Sequence, residues 1–66
     1  MMTKHMAVSL RPGSKFQAWD RRWKVTNNDT LNRVLQLKEV KGSQTKKVRY
    51  TPTTQITCYW VPFSQS

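Results

Sequence analysis

The stretch 30–51, TLNRVLQLKEVKGSQTKKVRYT, decides the fold. Its first half admits two readings. Leu31, Val34, Leu35 and Lys38 fall at helical spacing, Asp29 or Thr30 stands where a helix is capped, and Gly42 stands where one ends. That reading gives a helix over about 30–41 and an α+β fold. Read with period two, Val34, Gln36, Lys38 and Val40 share one face and Leu31, Leu35 and Leu37 the other. The second half favours the strand. Val48 and Tyr50 alternate with Lys47 and Arg49, and KGSQT supplies a glycine-containing hairpin loop. Two strands joined by that loop make a β-hairpin, and the chain is expected to be all-β.

Downstream, TPTTQ at 51–55 breaks the ladder, since proline donates no backbone hydrogen bond, and its length suits one 3₁₀ turn. ITCYWV at 56–61 is the closing strand, with Ile56, Cys58 and Trp60 inward and Thr57, Tyr59 and Val61 outward. Upstream, KFQAWDRRWKVT at 15–26 alternates twice with a change of phase between, which places a turn or bulge at WDRR, 19–22. NND at 27–29 and RPGS at 11–14 read as turns. Residues 1–10 lack any period and read as a tail, with Met6 or Val8 held down. Residues 11–63 form the single domain, and 64–66 a second tail. The expected core is Phe16, Ala18, Trp23, Val25, Val34 or Leu35, Val48, Ile56 and Cys58, which leaves Leu31, Leu37, Val61 and Phe63 as spare apolar residues.

This order of elements resembles the SH3-like small barrels, including the Tudor and KOW-type domains. The residues carrying the likeness are RPGSKF, RWKV, the hairpin VLQLKEV–KGSQ–KKVRYT, and PTTQI before the last strand. The likeness covers about residues 11–61 and implies a five-stranded, strongly bent sheet closed on a small core. Closure would remove edges that otherwise invite aggregation.

The charge is lopsided: twelve Lys and Arg against Asp20, Asp29 and Glu39, a net +9 on 66 residues. So basic a domain carries the electrostatic footprint of a polyanion binder. Its cations cluster as Arg21, Arg22 and Lys24, as Lys38 and Lys41, and as Lys46, Lys47 and Arg49. Trp19 and Tyr59 fall out of phase with the core and stand near arginines or the sheet surface, where a ring can stack on an unpaired base. These ten residues are the candidate nucleic-acid contacts. Contact is expected through phosphates, with DNA or RNA as partner and little sequence reading, because no recognition helix is evident. A small accessory or regulatory protein of a phage or mobile element would have this size and charge. The alternative is an interaction module or inhibitor that binds an acidic surface of a partner protein.

Catalysis is not expected. His5 lies in the tail, the three acids are scattered, and His5 with Cys58 falls far short of a closed zinc site. No cofactor or metal is expected. Cys58 has no partner for a disulfide, and no apolar run approaches the roughly 20 residues of a membrane span. These point to a cytoplasmic protein with no membrane contact.

Overall fold

The structure, a computed structural model, describes residues 2–62. It is all-β, so the helix over 30–41 does not form. Six strands follow in chain order: β1 Thr3–Met6, β2 Lys15–Ala18, β3 Arg21–Asp29, β4 Val34–Glu39, β5 Thr45–Arg49 and β6 Gln55–Trp60. A single 3₁₀ turn, Ala7–Ser9, links β1 to the rest. Every pairing is antiparallel, in the order β1-β6-β2-β3-β4-β5. Among the described residues no helix is long and apolar enough to cross a membrane.

The alternation read in the sequence now has a partner for every phase. Val25 stands opposite Leu37, Leu35 opposite Val48, and Phe16 opposite both Trp23 and Cys58. These side chains fill one face of the sheet. The buried core comprises Ala7, Leu10, Phe16, Trp23, Val25, Leu35, Leu37, Tyr50 and Cys58, with Ala18, Val48, Ile56 and Val61 packed against it. Burial also pushes the Cys58 thiol pKa up, because the thiolate would lose its water. Phe16, Ala18 and Ile56 of β2 and β6 line one cleft together with Leu35, Leu37 and Val48 of β4 and β5. The sheet therefore curls until its two halves face each other.

It does not close. The five-stranded barrel expected from the SH3-like layout is replaced by an open sheet of six strands with β1 and β5 at its edges. The reason is the N-terminal segment, which the sequence placed in a tail. Residues 3–6 pair with β6 in register, Thr3 with Cys58 through Met6 with Gln55, and so occupy the edge that closure would need. The turn after them is anchored too. Ala7 N–H donates to the Thr54 carbonyl at 2.8 Å, and Ala7 and Leu10 are buried. Met6 is half-buried, whereas Val8 is exposed. Residues 63–66, including Phe63 and the expected tail 64–66, lie outside the described residues.

One side chain ties this segment down. The Asn28 amide donates to the carbonyls of Ala7 at 3.1 Å and Leu10 at 2.8 Å, and its oxygen accepts the Tyr50 hydroxyl at 2.7 Å. This explains why NND is not a turn. Residues 27–29 continue β3, and the chain reverses one step later, over 30–33, where Arg33 takes φ 56°. Asp29 closes that reversal by accepting from both the backbone and the amide of Asn32, which lowers its pKa below the ordinary 3.8.

The other turns follow their residues. In RPGS, the Ser14 N–H donates to Arg11 at 3.1 Å, with Pro12 and then Gly13 at φ 102° between them. That is a type II turn, whose third position requires positive φ. At WDRR the reversal is the two-residue turn Trp19-Asp20, with φ 52° and 62°, the left-handed pair of a type I′ hairpin. The segment 51–54 is a β-turn rather than the expected 3₁₀ turn: Thr54 N–H donates to Thr51 at 3.1 Å and the Thr54 hydroxyl accepts from Thr51 N–H.

Candidate nucleic-acid interface

Strands bury one face and leave the other to solvent, so the side chains between the core residues share a single outer face. Register fixes their rows. Lys15 on β2 lies opposite Lys24 on β3, and Lys24 lies opposite Lys38 on β4. Three lysines thus stand in a line across three neighbouring strands. Like charges placed directly opposite destabilise a sheet, and among the described residues none of the three forms an ion pair.

The rows on either side extend this charge. Arg22 pairs with Gln17, Lys47 with Gln36, and Arg49 with Val34. Lys4 on β1 faces Thr57. The carboxylates nearby are already engaged. Glu39 borders the depression formed with Lys15, Lys24 and Lys38, but accepts from Arg21 Nη1 at 2.7 Å. Asp29 sits at the far end of the row of Val34 and Arg49, bonded to Asn32.

Two rings complete the face. Between Phe16↔Cys58 and Lys15↔Trp60 the register shifts, so β6 has one extra residue there, Tyr59. A bulge of this kind re-aims the side chains beside it. Trp60, expected in the core with Ile56 and Cys58, instead becomes the neighbour of Lys15 and is 48% exposed. The Lys15 ammonium lies 5.2 Å from the Trp60 ring centre, and the Arg22 guanidinium 5.6 Å from that of Tyr59. The lysine line therefore continues onto an aromatic end: Trp60, Lys15, Lys24, Lys38.

Of the ten residues singled out in the sequence, Arg22, Lys24, Lys38, Lys47, Arg49 and Tyr59 meet on this face. Lys41 is exposed in the loop between β4 and β5. Arg21, Lys46 and Trp19 go elsewhere. Lys46 stands opposite Leu37, on the core side. Its ammonium lies 4.4 Å from the ring centre of Trp19, which also packs edge-on against Trp23 at 6.3 Å. Arg21 is held by Glu39. Lys15 and Trp60 were missed. The alternation around Phe16 already turned Lys15 outward, but no sequence pattern announces the bulge that turns Trp60.

Among the described residues no three His, Cys, Asp or Glu gather as a metal site. No family model matches this chain, and neither a curated protein nor a solved structure matches it.

Proposed function

We propose that this protein is a non-enzymatic nucleic-acid binder that holds the phosphate backbone on the outer face of its sheet. The observation that carries this reading is the line Lys15, Lys24, Lys38, set strand against strand with no ion pair among them. Folding alone gains nothing from such a line, and a polyanion laid across it removes the repulsion and releases counterions. An acidic protein surface would meet the same cations and rings, but a nucleic acid alone offers a regular row of phosphates to match the line. The free Cys58 thiol, wholly buried, suits a reducing cytoplasmic setting.

The test is fluorescence anisotropy with labelled DNA and RNA across a salt series. The face offers Lys15, Arg22, Lys24, Lys38, Lys47 and Arg49. If all six engage a single strand, log K falls against log salt with a slope of about −4. Replacing Lys24 and Lys38 together with Gln should reduce that slope by roughly 1 to 2 and weaken binding of every sequence alike. Lys46→Gln, on the other face, should change neither. Affinity weaker than about 100 μM for DNA and RNA at 150 mM salt would reject the proposal, since non-specific binding of this kind reaches that range.

A further inference from the structure

We infer, building on that reading, that the strand held on this face is single, with unpaired bases stacked on Trp60 and Tyr59. A duplex offers a flat basic face its phosphates alone, because its base faces are already stacked inside. The rings would then be idle. Yet the β6 bulge brings two consecutive aromatics to the cationic side, where strict alternation would have sent one of them inward. The outer face also bears no helix that could enter a groove, since the described residues hold none beyond Ala7–Ser9.

The magnitudes agree with an exchange at Trp60. A base stacked on an aromatic strengthens binding about 5- to 150-fold, more than an exposed ammonium over a ring contributes. A base therefore displaces the Lys15 ammonium from Trp60, and the freed lysine turns to the phosphate beside it. Arg22 and Tyr59 allow the same exchange one row away. From Trp60 to Lys38 there are three inter-strand steps, about 14 Å. At roughly 3.4 Å per stacked nucleotide this span holds about four of them. The bound strand runs across the β-strands, bases at the β6 end and phosphates over β2, β3 and β4.

The experiment compares three ligands of equal phosphate number by anisotropy at 150 mM salt: an oligothymidine, the same chain with abasic residues, and a duplex. The oligothymidine should bind at least about 5-fold more tightly than the abasic chain. Trp60→Ala should weaken oligothymidine binding about 5- to 150-fold without weakening abasic binding, since it only frees Lys15 for the phosphates. Trp60→Phe should restore most of the loss, which separates stacking from a folding defect. Equal affinity for the oligothymidine and the abasic chain, or a Trp60→Ala variant that binds oligothymidine like the wild type, overturns the stacking inference while the phosphate reading stands. Failure of all three ligands to bind overturns both.

Discussion

Lys24 and Val25 are neighbours in the chain and opposites in the molecule. Val25 faces Leu37 in the core and is wholly buried. Lys24 faces Lys38 and is open to water. Across β2, β3 and β4 this contrast repeats at each step, so one set of strands presents an apolar face and a cationic one. The core face is satisfied within the molecule. Its rings pack, the Trp23 indole donates to the Ala18 carbonyl at 3.0 Å, and Asn28 links three chain segments. Among the described residues no buried side-chain nitrogen or oxygen is left without a partner. The outer face is unsatisfied within the molecule, with lysine opposite lysine. One face is therefore organised for folding, while the other sets like charges against each other.

Substitutions can break each half of this contrast. The largest effect belongs to the core face. Trp23 is 3% exposed, and Trp23→Ala should cost about 3–5 kcal/mol, enough to leave so small a domain largely unfolded by circular dichroism. A folded Trp23→Ala variant would show that the core does not depend on it. Next comes Asn28→Ala, which removes the clamp on residues 7–10 and strands the Tyr50 hydroxyl. Urea unfolding should register a loss of about 1–3 kcal/mol, against about 1 for Tyr50→Phe, which spares the clamp. The smallest effect has the opposite sign. The Lys24→Gln and Lys38→Gln double variant should raise thermal stability by a few tenths of a kcal/mol, because it removes a like-charge pair. If that variant is less stable than the wild type, the line of lysines has a structural role and the contrast between the faces is weaker than described.

The strands were largely legible because their period was long enough to count. In β3 the alternation placed Trp23 and Val25 inside and Arg22 and Lys24 outside. In β4 it separated Val34, Gln36 and Lys38 from Leu35 and Leu37 but left open which set was core, and the structure buries Leu35 and Leu37. The spare apolar residues were less legible. Leu37 is core, Val61 is half-buried against it, and Leu31 is 90% exposed in a turn. β1 escaped because four mixed residues carry no period, and its register comes from pairing with β6. The Trp19-Asp20 turn escaped in type. Two-residue type I′ turns favour Asn-Gly, and here contacts to Trp23 and Lys46 accompany a tryptophan at positive φ. The site was half legible for the same reason. Residue types and phase put Arg22 with Lys24 and Lys47 with Arg49 on outward positions, whereas the rows depend on which strands are neighbours, and Trp60 depends on a bulge.

The open edge at β5 has a consequence for solubility. A free strand presents backbone donors and acceptors to any other strand, and charged side chains are the usual guard against that. On β5 the guard is Lys46, Lys47 and Arg49. Two of these, Lys47 and Arg49, belong to the face assigned to the phosphates. A polyanion that neutralises them disarms the edge as it binds. Copies crowded on one strand would then meet with bare β5 edges, and strand-to-strand assembly along the ligand becomes easier than in free solution. On the proposed reading, the charge that draws the ligand is also the charge that keeps copies of the molecule apart.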